Sequence, residues 1–497
     1  MNFDKDLRSI QEARDLIRKA KEAQKQLAGY DQSQIDRLVK KVAEACQAQA
    51  EPLAKMANKE TGFGKWQDKV LKNILGSRMV YDYIKDMKTI GVLCEDREKK
   101  ITEIAVPVGL VVALIPSTNP TSTVMYKTLI SLKAGNAIVI SPHPNALECI
   151  LETVRVIREA VKEAGAPEDI VQAVTTPTVQ ATRELMSNKD TGIILATGGE
   201  AMVHAAYSSG NPALGVGPGN GPSFIERSAD IPLAVKRIAD SKTFDNGTIC
   251  ASEQSVITER CVKDQVVAEM KRQHFYFMNE EESAKVSGFI MRANNTMNPK
   301  IVGKSALEIA EMAGIRVPKD TLILVTEHTG IGKNYPYSRE KLCPILAFFT
   351  VENWEEACRK SIELLENEGT GHTMTIHTKN EDVVREFGKK KPVSRILVNT
   401  PGALGGVGAS TNLVPALTLG CGSVGGSATS DNVGPLNLLN IRRVAYGVRE
   451  LEDLRAMIPS TGRESEGREE ICAGGSVSEA DIEAITREVL RSLAGAL

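Results

Sequence analysis

The residues Val108-Gly109-Leu110-Val111-Val112-Ala113-Leu114-Ile115 form an apolar run whose length suits one buried strand and falls well short of a membrane span. Around it the texture alternates. A short β-rich segment at 104–106 precedes it, a helical stretch at 124–134 follows, and residues 137–140 read as the next strand. Further on come a helix at 145–164, a strand at 170–174, a helix at 178–187 and a strand at 192–196. Strands separated by helices of this length predict a parallel sheet with crossover helices, an α/β architecture. Upstream, residues 1–90 read as helical, with apolar positions three and four apart at Ile35, Leu38, Val39, Val42 and Ala43.

The alternation resumes after residue 230. Helices are expected at 231–241, 262–272, 305–313, 354–365 and 381–387, with strands at 254–257, 322–325, 346–350, 373–377 and 395–399. These predict a second α/β domain, and 497 residues are enough for two or three domains that each bury a core. Charge nearly cancels, 61 basic against 63 acidic residues, so neither nucleic acid nor an anionic membrane is an expected partner. Charged residues crowd the first fifteen positions, which argues against a secretory signal. Nine cysteines, an odd number without C-x-x-C pairs, fit reduced thiols in a cytoplasmic protein and offer no zinc site.

Residues 243–254 read Thr-Phe-Asp-Asn-Gly-Thr-Ile-Cys-Ala-Ser-Glu-Gln. Cys250 therefore follows a glycine-containing turn and precedes a strand, a setting that exposes the sulfur and leaves backbone N–H groups free for an oxyanion. Spacing alone does not single it out from the other eight cysteines, since most cysteines are small buried hydrophobes. The glycines of 215–220 do not make a phosphate loop, because Pro218 and a missing third glycine break the G-x-G-x-x-G pattern.

The 243–254 segment resembles the nucleophile motif of the aldehyde dehydrogenase superfamily, in the form seen in its CoA-acylating branch, which includes the acetaldehyde and propionaldehyde dehydrogenases of bacterial microcompartments. Other pieces fall in the order that family shows. Ile115-Pro116-Ser117-Thr118-Asn119-Pro120 resembles its Pro-x-x-Asn motif, Ala196-Thr197-Gly198-Gly199-Glu200 its cofactor turn, and Arg339-Glu340-Lys341 the site of the Glu that holds the nicotinamide ribose. Two looser matches, 298–306 and 399–434, are similar to the acylating branch. The resemblance implies an aldehyde dehydrogenase-like fold of two Rossmann-like α/β domains with a small oligomerisation element. It implies an NAD-binding domain over 1–225, with an oligomerisation segment at 98–110, and a catalytic domain over 226–415 carrying Cys250. A Gly-rich return and second oligomerisation segment would fill 416–455, and the assembly would be a homodimer or homotetramer.

By the same resemblance Cys250 is the nucleophile, and the Asn119 side chain and the Cys250 N–H stabilise the oxyanion. Ile115, Pro116, Thr118, Ser141, His143, Thr197, Gly198, Gly199 and Glu340 are the expected cofactor contacts, and no metal is expected. The implied reaction is short-chain aldehyde plus NAD plus CoA giving acyl-CoA plus NADH. The chemistry agrees with these residue types: a thiolate adds to the carbonyl, and donors placed at the developing alkoxide are worth on the order of 3 kcal/mol each. Hydrolytic relatives carry a general-base Glu in a stretch that here spans Gly215 to Pro222 and has no acidic residue. Without that base the acyl-enzyme is left to a better nucleophile than water, the CoA thiol. Ser141-Pro142-His143-Pro144 stands where hydrolytic relatives have a Lys near the adenosine ribose, which favours NAD over NADP. His372 is placed near the site with no task assigned, and the other histidines, His143 apart, read as ordinary.

Residues 456–476, rich in Gly, Ser and charge, read as a flexible linker, and 477–497 as an amphipathic helix with Ile482, Ile485, Val489, Leu490 and Leu493 on one stripe. That tail resembles the peptides that direct enzymes into bacterial microcompartments, with a shell protein as partner. Two rival readings remain at this stage: a hydrolytic aldehyde dehydrogenase giving a free acid, and a non-catalytic shell-binding protein that keeps the fold. The sequence leaves the aldehyde open among acetaldehyde, propionaldehyde and a sulfonated two-carbon aldehyde.

Overall fold

The computed structural model describes residues 4–458 apart from 293, 295, 328 and 329, together with 480, 484 and 486. Two units divide the chain, Met1–Val444 and Ala445–Leu497. In the second, a short helix covers Leu451–Ala456; the linker and most of the tail helix expected from sequence lie outside the described residues.

The first unit opens with helices Lys5–Leu27, Gln32–Ala48, Ala50–Thr61 and Trp66–Ile74. The first three bury an apolar stripe, whereas Trp66–Ile74 buries Lys69, Lys72 and Asn73; in Gln32–Ala48, Ile35, Leu38, Val39, Val42, Ala43 and Cys46 are buried, and Asp31 caps the start with Gln34 closing the capping box. The strands follow in chain order. They are β1 (Gly91–Asp96), β2 (Ile101–Pro107), β3 (Leu110–Leu114), β4 (Ala137–Ser141), β5 (Val171–Ala173), β6 (Ile193–Ala196) and β7 (Ala213–Gly215). Then come β8 (Gly221–Ile225), β9 (Glu253–Glu259), β10 (Phe275–Phe277), β11 (Ile323–Glu327), β12 (Ile345–Val351), β13 (Gly371–His377), β14 (Val393–Val398) and β15 (Leu439–Ala445).

Three sheets result. One is parallel, in the order β5-β4-β3-β6-β7, with β3 and β4 buried at every position, as expected of a sheet covered on both faces. The second is also parallel, in the order β10-β11-β12-β9-β8-β13-β14. The third, β1-β2-β15, joins the two extended segments near 98–110 and 436–450 and adds the antiparallel strand β1, which lies between the stretch expected to be helical and the first of those segments, where no strand of its own is expected.

One boundary is corrected. β8 belongs to the seven-stranded sheet, between β9 and β13, so the division at residue 225 falls on the wrong side of it. The alternation had seemed to resume only after 230 because Gly221-Pro222 looks like a breaker. Pro222 is tolerated at the second position of a strand whose start shifts register against β9. The helices Glu200–Tyr207 and Glu280–Ile290 were also unread in the sequence.

Candidate active site

In the five-stranded sheet the strand order reverses between β3 and β6, and in open α/β sheets the crevice at the carboxyl ends of such a pair is where ligands bind. Ile115, Pro116, Thr118 and Asn119 follow β3, and Thr197, Gly198 and Gly199 follow β6. A buried ammonium joins the two ends: Lys127 Nζ donates to Leu114 O and to Leu195 O, each at 2.8 Å, and burial holds its pKa well below the lysine range. Gly199 is the N-cap of the helix Glu200–Tyr207 and makes no side-chain cap, which leaves the first N–H groups to a ligand.

The seven-stranded sheet meets this crevice with its amino ends. Gly219 precedes β8, Cys250 precedes β9, Glu340 precedes β12, and His372 stands second in β13. A cavity of about 400 Å³ collects Pro116, Thr118, Asn119, His143, Thr197, Gly198, Gly199, Cys250 and Glu340. An adjoining cavity of about 390 Å³ shares Pro116, His143 and the Thr197–Gly199 turn and adds Ile115 and Ser141. All the residues marked from sequence thus line one connected pair of hollows. Beyond Ile249, Val407 and Leu417, which border both, lies a third, mainly apolar hollow of about 470 Å³ lined by Leu71, Leu75, Met79, Phe244 and Leu404.

The loop that leads into Cys250 is built on backbone that few residues accept. Asp245 (φ 47°), Asn246 (φ 51°) and Gly247 (φ 76°) lie consecutively in the left-handed region. Side-chain bonds hold them there: Asp245 accepts from Lys65 N, Lys69 Nζ, Lys72 Nζ and Thr248 Oγ1, and Asn246 Nδ2 donates to Gly303 O. Burial alone would raise the Asp245 carboxyl, but the two ammonium groups keep it below the usual range. Among the described residues the Cys250 N–H makes no backbone hydrogen bond.

Cys250 is partly exposed to the cavity, and its Sγ lies 3.2 Å from His372 Nε2. His372 is fully buried, its Nδ1 lies 3.0 Å from Thr373 Oγ1, and its carbonyl accepts from Arg395 Nη2. Burial, with Arg395 adding to it, pushes the imidazole down to about 3, so the ring is neutral. Burial and the charge of Glu340 push the Cys250 thiol up to about 12. Glu340 itself is raised to about 8 by burial and by Glu368; its Oε1 accepts from Gly219 N at 2.9 Å. The sequence reading placed His372 near the site, and the structure puts its ring on the sulfur. Among the described residues no group of three His, Cys, Asp or Glu could hold a metal ion, and no helix is long and apolar enough to cross a membrane.

Residues 7–412 match the family model described as Aldehyde dehydrogenase family. The chain belongs to the aldehyde dehydrogenase family. This aldehyde dehydrogenase superposes on an acetylating aldehyde dehydrogenase from Geobacillus thermoglucosidasius with a TM-score of 0.89 at 53% identity, covering 90% of this chain and 99% of that one. A propionaldehyde dehydrogenase from the fucose utilisation microcompartment of Clostridium phytofermentans gives a TM-score of 0.78 at 28% identity, covering 86% of this chain and 96% of the other. The bifunctional aldehyde-alcohol dehydrogenase AdhE of Escherichia coli (strain K12) is 43% identical over 442 residues. Those residues are 88% of this aldehyde dehydrogenase, which spans about half the length of that relative.

Proposed function

We propose that this chain is a CoA-acylating aldehyde dehydrogenase that converts a short-chain aldehyde, NAD and CoA to acyl-CoA and NADH. The observation that carries the reading is Cys250 lining the cavity with the buried His372 Nε2 3.2 Å from its sulfur, beside a 215–222 stretch without any acidic side chain. Likeness to an acetylating enzyme along nearly the whole of both chains supports it.

Cys250 Sγ adds to the aldehyde carbon to give a hemithioacetal while its proton passes to His372 Nε2; transfer accompanies the addition, because a ring held near 3 does not ionise a thiol near 12 beforehand. Asn119 Nδ2 and the Cys250 N–H are the donors for the alkoxide oxygen. The uncapped turn at Gly199 suits a pyrophosphate, and Glu340 beside the cavity suits a ribose hydroxyl; together with Ile115, Pro116, Thr118, Ser141 and His143 they would hold NAD. NAD, when bound, supplies the hydride acceptor. The thioester left on Cys250 then meets no carboxylate from 215–222 to activate water; once the first proton has passed to solvent, His372 takes the proton of the CoA thiol, whose sulfur adds to the acyl carbon and expels Cys250 Sγ, which recovers that proton. The apolar hollow behind Ile249 accommodates the aldehyde's carbon chain. The sheet β1-β2-β15 joins subunits into a dimer or tetramer, and 477–497 directs the enzyme to a microcompartment shell, as the origin of one structural relative suggests.

The test is NADH formation from acetaldehyde or propionaldehyde with and without CoA, and with NADP in place of NAD. CoA-dependent turnover that prefers NAD is expected, with Cys250→Ala inactive yet folded. Turnover undiminished without CoA supports the hydrolytic alternative.

A further inference from the structure

The Lys72 ammonium is 3% exposed and has three acceptors for its three protons: Asn119 Oδ1 at 2.6 Å, Asp245 Oδ2 at 2.5 Å and Thr248 Oγ1 at 2.9 Å. An ammonium only donates, so the amide of Asn119 must turn its oxygen toward Lys72. Nδ2 then points the other way. There it makes only long bonds, to Thr118 Oγ1 at 3.2 Å and Thr248 O at 3.4 Å, both borne by residues that line the Cys250 cavity. Weak partners of this kind are readily exchanged for an anionic oxygen, which makes the stronger, charge-assisted bond.

Flipping the amide would set its NH2 against the ammonium and its oxygen toward the developing alkoxide, two repulsions at once. A cation on the amide oxygen also draws electron density from the nitrogen and makes its N–H a better donor. Lys69, one helical turn away, shares Asp245 Oδ2 at 2.9 Å but reaches Thr118 O at 3.2 Å and does not touch the amide. The half-buried Asp68 accepts from Asp245 N, which completes the charged set around Lys72.

We propose that Lys72 is a positioning residue for aldehyde oxidation, holding the Asn119 amide with Nδ2 toward the Cys250 cavity and polarising it as a donor. The assignment rests on the function proposed above.

Steady-state kinetics on the full chain with aldehyde, NAD and CoA test it. Lys72→Met should lower kcat roughly 10–100-fold, as losing or misaligning an oxyanion donor does, while KM for aldehyde and NAD stays within about threefold. Lys69→Met, which breaks an ion pair to the same carboxylate without touching the amide, should lower kcat several-fold less than Lys72→Met does. The double variant Lys72→Met/Asn119→Ala should be no slower than Asn119→Ala alone, because one residue acts through the other. Losses that multiply in the double variant, or an equal loss in Lys69→Met, overturn the assignment in favour of a merely structural lysine. If Lys72→Met does not fold, Lys72→Gln enters the same cycle: it is uncharged but still donates, so an intermediate kcat, non-additive with Asn119→Ala, is expected. Wild-type kcat or additive losses in that variant overturn the proposal. A wild-type chain without aldehyde turnover overturns the parent reading as well; turnover with unaffected Lys72 variants overturns this one alone.

Discussion

His372 shows how one side chain settles a site that its sequence context leaves vague. In the chain it stands 122 residues from Cys250, in Gly-His-Thr at a strand start, where nothing local distinguishes it from a core histidine. The fold sets β13 two strands from β9, and the imidazole reaches the sulfur. Because burial holds the ring near 3, it stays an acceptor across the assay range, whereas an ordinary histidine would be protonated below about 6.5. The thiol, raised to about 12, is mostly neutral and depends on that acceptor. His372→Ala should therefore cost roughly 10²–10⁴ in kcat. Alkylation of wild-type Cys250 by iodoacetamide, followed from pH 5 to 9, should show no inflection near 6.5, and the variant should react more slowly throughout. An inflection there would mean a conventional, solvent-exposed imidazole.

At the scale of elements, the strands of both sheets were largely legible, because β3, β4 and β12 are apolar runs set between helices. β8 was not, since a glycine and a proline at its start outweighed Phe224 and Ile225. Its leading segment nevertheless shapes the site. A Cβ on Gly219 would sit 1.9 Å from the Cys250 carbonyl oxygen, a backbone atom that cannot step aside. Gly219→Ala should thus displace Cys250 and its N–H, costing about 1–3 kcal/mol of stability by urea unfolding and lowering kcat by more than tenfold. Gly288, in the helix Glu280–Ile290, has nothing within 4 Å of such a Cβ; alanine there should be neutral or stabilising by up to about 1 kcal/mol. The Lys72–Asn119 contact was equally hidden: Lys72 is one of two lysines on a short helix, 47 residues before its partner.

Across the whole molecule, the motif order in the chain becomes intelligible as two parallel sheets opposed end to end. One offers the carboxyl ends of β3 and β6, the other the amino ends of β12, β9, β8 and β13. Sequence alternation identified both sheets but could not say which strand ends face each other, since that depends on connections closed over more than a hundred residues. The tail is a separate matter. A chain ending at Ile458 should keep its kcat and lose co-purification with microcompartment shell proteins; retained co-purification would place the docking signal elsewhere. The Lys127 clasp has a consequence of its own. By pinning the carbonyl of Leu114, which ends β3, to that of Leu195, one residue before the end of β6, it makes the rim that bears Asn119 and the Thr197 turn a single stiff jaw. Tolerance for aldehydes of different bulk then has to come from the opposite side, where the half-buried Leu404 and Leu417 offer aliphatic groups less tightly held than the core.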